Sequence, residues 1–346
     1  MLLCENSVRL AKDMTHSVSG TAVPQTKPGP RVRRSAQAIA VLAALLLLAT
    51  SCSSKSKPSS TPHPPTTTPP SSLQEPCGQS IAPPPTYDHV VVLVEENRTW
   101  SGGRTPGVGL GFSATDMPFL HKLATKCTYF ANWTETNGTQ NSLTQYIGMT
   151  SGVFNKKTVN DCTPSDTCMS TDNNIFRQVR STGGTARTYV EGATEPCSAV
   201  GNAAKHIPAL YYRGGDDQAA CSTEVLPLDK LDPDALPTFA MIVPNLCNDG
   251  HDCPNNIVDK WAQDWLAPIL DGTDYRKGRT LIAVVYDEDQ PVPNLLIAPT
   301  AHAGVINGTT GTHAALLKTI EQVLGLPVLN QGQLRSAISL RKPANL

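Results

Sequence analysis

Beyond residue 85 the chain alternates between short apolar runs and amphipathic stretches. Residues 90–94 read Val-Val-Val-Leu-Val and residues 281–286 read Leu-Ile-Ala-Val-Val-Tyr. Unbroken, β-branched runs of this length predict strands buried on both faces, as in the interior of a parallel sheet. Further strands are predicted at 185–190, 239–243 and 294–298. Between them the apolar positions fall at helical spacing. One such set is Ile175, Phe176 and Val179, and a second is Ile257, Val258, Trp261, Trp265 and Leu266. A third is Leu316, Leu317, Ile320, Val323 and Leu324, closed by Gly325 and Pro327.

Strands alternating with helices predict an α/β fold, a mainly parallel central sheet with helices on both faces. Ligands of such sheets gather at the carboxyl ends of the strands. There the pattern turns acidic: Glu95-Glu96-Asn97 follows the first strong run and Asp287-Glu288-Asp289 follows the other. The segments 153–173 and 193–236 are long, polar and bracketed by cysteines, and are expected to cover this rim as loops.

The pattern before residue 86 is different. After an N-terminal extension, Arg31, Arg33 and Arg34 precede an apolar run at 36–48 that is too short to span a bilayer, the arrangement of an export signal. Ala49-Thr50-Ser51 then lead to Cys52, which resembles the lipidated cysteine of bacterial lipoproteins. Residues 1–52 are therefore expected to be an extension and lipoprotein-type signal, anchoring the protein to the cell membrane or envelope. Ordinary secretion, with Cys52 removed or left free, is the alternative. Residues 53–85 are dominated by Ser, Thr and Pro and predict a disordered linker. Residues 86–346 remain for one folded domain.

Lys and Arg number 28 against 29 Asp and Glu, with no basic block after the linker. That balance disfavours nucleic acid as a partner. Nothing in the pattern sets an oligomeric state. Of 10 cysteines, all but Cys4 and Cys52 lie in the exported part. An even number in an oxidising compartment predicts disulfides, although eight cysteines admit about a hundred pairings. Short spacings favour Cys162 with Cys168, Cys197 with Cys221, and Cys247 with Cys253, leaving Cys77 with Cys127.

Four segments carry candidate chemistry. Glu96 and Asn97 offer hard oxygen ligands to a divalent cation, and Asp287 with Glu288 offer the same from a second strand end. Either pair alone is equally a solvated turn; together, on one rim, they repel unless a cation neutralises them. In the third segment polar residues lead into a short amphipathic stretch stopped by Gly152, which places Ser142 near a helix N-terminus. Backbone N–H groups there favour an alkoxide or a phosphate, while a plain N-cap serine is the bland reading. The fourth is the Cys-bracketed loop Pro244-Asn245-Leu246-Cys247-Asn248-Asp249-Gly250-His251-Asp252-Cys253. It presents Asn245 and His251 over the rim, and His313, just ahead of the final helix, can join them. A lone histidine is as readily structural.

Taken in order, these segments resemble the phosphoesterase family of bacterial phospholipases C and acid phosphatases, within the alkaline phosphatase-like superfamily. The resemblance runs from about Tyr87 to Leu326 and rests on Val-Val-Leu-Val-Glu-Glu-Asn-Arg, Ser-Leu-x-x-Tyr before Thr-Ser-Gly, Pro-Asn-x-Cys-Asn-Asp-Gly-His-Asp, Tyr-Asp-Glu, and Thr-His before Leu-Leu-Lys-Thr-Ile-Glu. It implies one divalent metal ion, Ca, Mg, Mn or Zn, on Glu96, Asn97, Asp287 and Glu288, with Ser142 as a nucleophile touching it. It also implies that His251 and His313 contact the phosphate or leaving group. Around Ser142 the chain departs from the family, with Gln140, Asn141, Thr144 and Gln145 where His, Pro, Pro and Asn are usual.

The expected activity is hydrolysis of a phosphate ester through a phosphoserine. An acid phosphatase-like monoesterase is favoured over a phospholipase C, whose family members are longer. The substrate is correspondingly a small phosphate ester or a phospholipid. A non-catalytic envelope lipoprotein using the fold for binding is the reading from another class.

Overall fold

The computed structural model describes residues 73–97, 111–136, 138 and 140–346. Every described residue belongs to one compact unit within Thr66–Leu346. The expected export signal and Cys52 lie outside the described residues.

In chain order the strands are β1 (His89–Glu95), β2 (Thr128–Thr134), β3 (Ala186–Val190), β4 (Val225–Pro227), β5 (Phe239–Val243), β6 (Thr280–Tyr286), β7 (Asn294–Ile297) and β8 (Gly304–Thr312). The helices are α1 (Pro118–Lys126), α2 (Ser142–Ser151), α3 (Ile175–Ser181), α4 (Asp217–Glu224), α5 (Asn255–Asp271), α6 (Thr273–Arg276), α7 (His313–Val323) and α8 (Arg341–Ala344). The strands form one sheet in the order β4-β3-β5-β1-β6-β7-β2-β8. Neighbours run parallel except β7, which is antiparallel to both β6 and β2. The fold is α/β with a mainly parallel sheet, as the alternating pattern predicts. Helices surround it, with α1 packed against α5 and α2 against α7.

The apolar runs form the middle of the sheet because only there are both faces of a strand covered. Every residue of β6 is buried, as is every residue of β1 after His89. These two strands are neighbours in parallel register, with Glu95 opposite Tyr286. The next residue on each, Glu96 and Asp287, therefore emerges at the same level of the same edge. β5 flanks β1 on the other side and delivers the loop after Val243 to that edge.

Two expectations are corrected. Residues 73–85, assigned to the linker, are tied to the domain: Gly78 N–H donates to Ala301 O at 2.9 Å, Gln79 N–H to Pro299 O at 2.8 Å, and Cys77 is bonded to Cys127. The Ser/Thr/Pro composition that predicts disorder is interrupted there by a cysteine and a buried tether. Segment 193–236 is also more than a loop, since it carries three 3₁₀ turns, Gly201–His206, Pro208–Tyr211 and Leu228–Lys230, as well as α4 and β4. The other disulfides join Cys162 to Cys168, Cys197 to Cys221, and Cys247 to Cys253, so all four expected pairs form.

On α7, Glu321 is buried with Oε1 accepting from Leu329 N–H at 3.2 Å and Oε2 lacking a hydrogen-bond partner. Burial pushes its pKa up to about 7. A carboxyl that binds its proton more tightly when folded favours the native state at low pH, and that contribution is lost as pH rises from about 4.5 through about 7. Glu321→Gln is accordingly expected to melt several degrees above the wild type at pH 8, a gain of roughly 1–2 kcal/mol, and to lose that advantage at pH 4.5. Thermal melts of both proteins across this range check it; a pH-independent difference would contradict it.

Candidate active site

The rim formed by β5, β1 and β6 gathers three acidic side chains. Glu96, Asp287 and Glu288 are buried, and one carboxylate oxygen from each lies within 4.8 Å of the others. Asp287 N–H donates to Glu95 O at 3.0 Å, extending the β1–β6 ladder by one bond. Asp287 Oδ1 accepts from the N–H groups of Glu288 at 2.8 Å and Asn97 at 3.3 Å. Asn97 makes that contact with φ of 49°, a left-handed conformation that asparagine tolerates better than most residues.

This grouping is electrostatically unfavourable for a metal-free protein. Burial raises Glu96 well above the usual carboxylate range, and the charges of Asp287 and Asp249 add to the rise. Burial likewise raises Asp287. Glu288 is pushed up to about 9 by burial and then by Asp287, Asp289 and Glu135. Asp287 Oδ2 and Glu288 Oε2 have no hydrogen-bond partner. Buried carboxylate oxygens without donors normally cost stability, and a divalent cation offsets that cost by neutralising several at once. The donor set is all oxygen and fits calcium, magnesium or manganese, with zinc admissible.

Ser142 is the first residue of α2, and Asn141 before it is the N-cap. The bland reading of Ser142 as an N-cap fails. Its Oγ instead donates to Glu96 Oε2 at 3.2 Å and accepts from Lys205 Nζ, also at 3.2 Å. α2 comes close enough for this because Gly148 lies against Thr136, where an added Cβ would sit 2.2 Å from Oγ1. Gly152 ends the helix at φ of 70°. Gln145, one of the departures from the family, holds the preceding loop by accepting from Thr136 N–H at 2.6 Å and donating to Thr136 O at 3.2 Å.

One expectation about this helix end is modified. The Leu143 N–H does not point freely at a ligand, because Asp161 Oδ1 accepts from it at 3.0 Å. Asp161 Oδ2 in turn lies 3.5 Å from Lys205 Nζ.

The histidines separate into distinct environments. His313 is buried, with Nε2 donating to Asp287 O at 2.6 Å, so that Nδ1 is the acceptor for Trp133 Nε1–H at 3.4 Å. Burial lowers its pKa to about 4. Both nitrogens are thus committed to the protein, and His313 stands behind the Asp287 backbone instead of facing substrate. His251 lies exposed at the rim, its Nδ1 2.7 Å from Asp252 Oδ1. It lines an open cavity of about 380 Å³ together with Asp161, Lys205, Tyr211 and Asp252. Asn245 does not present its carbonyl to that space: Oδ1 accepts from the N–H groups of Cys247 at 2.9 Å and Asn248 at 3.0 Å, which fixes the loop.

Residues that the sequence reading missed complete the site. His206 is fully buried, its Nε2 3.1 Å from Glu96 Oε1 and its Nδ1 3.4 Å from Asp249 Oδ2. Its ring stacks on Tyr146 with centroids 5.0 Å apart. Lys205 and His206 sit in a short 3₁₀ turn with no apolar period, so the sequence offered only their position inside a Cys-bracketed segment.

An α/β domain thus places a buried carboxylate cluster beside a hydroxyl at a helix start. The chain belongs to the Phosphoesterase family, whose model matches residues 108–327, and it is a hydrolase acting on phosphate esters. The match begins beyond Glu96 and Asn97. The phosphatidylinositol-3-phosphatase of Mycobacterium tuberculosis is 28% identical over 255 residues, covering 70% of this chain and 79% of the relative. The acid phosphatase of Aspergillus fumigatus is 31% identical over 143 residues, 37% of this chain and 31% of that protein. Among solved structures, a protein of the alkaline phosphatase superfamily from Vibrio parahaemolyticus overlaps 73% of this chain and 72% of its own at 13% identity, with a TM-score of 0.43.

Proposed function

We propose that this protein is an exported, metal-dependent phosphomonoesterase that works through a phosphoserine on Ser142. The observation that carries the reading is the hydrogen bond from Ser142 Oγ to Glu96, a member of a buried carboxylate trio at the strand ends. A divalent cation held by Glu96, Asp287 and Glu288, with Asn97 and Ser142 beside them, supplies Lewis-acid neutralisation of the phosphoryl oxygens.

The chain's own groups perform the transfer. Ser142 Oγ attacks phosphorus, and the hydroxyl proton leaves along its hydrogen bond toward Glu96 Oε2. The Oγ–P bond forms as the ester P–O bond breaks. His251, held through Nδ1 by Asp252, gives the departing alcohol oxygen a proton from Nε2. Water then attacks the phosphoserine, releasing inorganic phosphate and restoring the hydroxyl.

The monoester reading is supported by the name of the mycobacterial relative, a phosphatase acting at a phosphoinositide 3-phosphate. Export and anchoring through Cys52 are supported by the signal-like segment 31–52 and by four disulfides, which belong to oxidising compartments. No helix among the described residues is long and apolar enough to cross a membrane.

The test is turnover of p-nitrophenyl phosphate before and after chelation. Activity is expected to disappear with the metal and to return on addition of a stoichiometric divalent cation. Full activity in a protein shown to be metal-free would refute the reading.

A further inference from the structure

Lys205 combines features that no other residue of the site shares. Its Nζ lies 3.2 Å from the oxygen of Ser142 and 3.5 Å from Asp161 Oδ2. It is half-buried and forms part of the wall of the cavity of about 380 Å³, so that it links that wall to the buried Ser142. Among the described residues lining that cavity, Lys205 alone carries a permanent positive charge, and Asp161 and Asp252 share the wall with it.

Chemistry then narrows its role. A lysine ammonium has three N–H donors. One points to Ser142 and one to Asp161, which leaves a third for a ligand. The Leu143 N–H, which a phosphate at this helix start could otherwise use, is already taken by Asp161. A phosphoryl group brought to Ser142 Oγ therefore meets an ammonium with a donor to spare.

Charge sharpens this further. A phosphate monoester arrives as a dianion, a diester as a monoanion. The carboxylates of the cavity wall are Asp161 and Asp252, and the carboxylate trio exceeds the charge of one divalent cation. The second negative charge of a monoester thus has this ammonium, beside the proton-donating His251, as a counter-charge on the cavity side.

We propose that Lys205 binds a non-bridging oxygen of the phosphate dianion and so sets a preference for phosphomonoesters over diesters, an inference that rests on the phosphatase reading above. Asp161 positions it. Through its two oxygens the same carboxylate holds the Leu143 N–H and the Lys205 ammonium, and thereby fixes the lysine relative to Ser142.

The experiment compares kcat/KM for p-nitrophenyl phosphate and bis(p-nitrophenyl) phosphate in the wild type, Lys205→Met and Lys205→Arg. In Lys205→Met the monoester value is expected to fall about a hundredfold, in the range found for loss of a single charge-stabilising donor. The diester value should change by less than about tenfold, since a monoanion makes less use of a lysine point charge. Lys205→Arg, which keeps the charge, should retain most of the preference. Equal losses on both esters, or no loss on either, would overturn the proposal.

A measurement without turnover guards against a poorly folded variant. Inorganic phosphate should bind metal-loaded Ser142→Ala more tightly than metal-loaded Ser142→Ala/Lys205→Met, with matching circular dichroism spectra and metal content. Equal affinity would overturn the proposal. A wild type that hydrolyses neither ester removes the phosphatase reading and this proposal together, whereas an active wild type whose Lys205→Met variant keeps the same ester ratio removes this proposal alone.

Discussion

Ser142→Ala is expected to fold normally and to lose turnover by about a thousandfold or more. The hydroxyl is not the helix cap, because Asn141 occupies that position, and its bonds to Glu96 and Lys205 connect polar groups that keep other partners. Stability should therefore change by no more than about 1 kcal/mol. Chemistry is affected far more, since removing a covalent nucleophile leaves only binding and charge stabilisation to accelerate the reaction. Acid quench of the wild type during turnover should also trap phosphate on the peptide that contains Ser142. Near-normal turnover in the variant, or phosphate trapped only at Thr144, would assign the covalent step elsewhere.

Asp287→Asn should abolish stoichiometric metal binding and lower kcat/KM by about a hundredfold or more, because it removes one of the charges that balance the cation. The structure adds an outcome of opposite sign. In the presence of a chelator the variant is expected to melt above the wild type, since burial already raises the Asp287 pKa and the charge opposes folding at neutral pH. Added divalent metal should raise the melting temperature of the wild type and leave that of the variant unchanged. Glu96→Gln should behave in the same way. If both variants bind metal normally and melt like the wild type with or without chelator, the carboxylates are a charge cluster with no ion to hold.

The features that were readable in the sequence share a physical cause. β1 and β6 carry unbroken apolar runs because both their faces are covered, and the acidic residues after them are conspicuous against that background. β8 had no such contrast. It is an edge strand rich in Gly and Thr, with Val305 exposed, so no alternation marked it. β2 interrupts its apolar residues with Asn132, which hides its strand pattern although Tyr129, Phe130 and Trp133 are all buried.

At the site, Glu96, Asp287, Glu288 and Ser142 were legible because strand ends and a helix start have local signatures. His206, Lys205 and Asp161 were not, because each is brought in by a segment whose path is set by tertiary packing and by disulfides. For His313 the sequence marks the position and not the direction of the side chain. Only the fold shows that its imidazole faces the Asp287 carbonyl and Trp133.

The strand order also bears on how the chain is made. β1 pairs with β5 and β6, whose first residues follow its last by well over a hundred positions in the sequence. A ribosome releasing this chain from its N-terminus exposes the apolar run of β1 long before either neighbour exists. Such a strand, unpaired along both edges, is a template for association with other chains. The half-synthesised polypeptide consequently depends on being kept apart from its copies until Thr280–Tyr286 has emerged. A chain shortened before β6 is expected to associate with its copies instead of acting as a weaker enzyme.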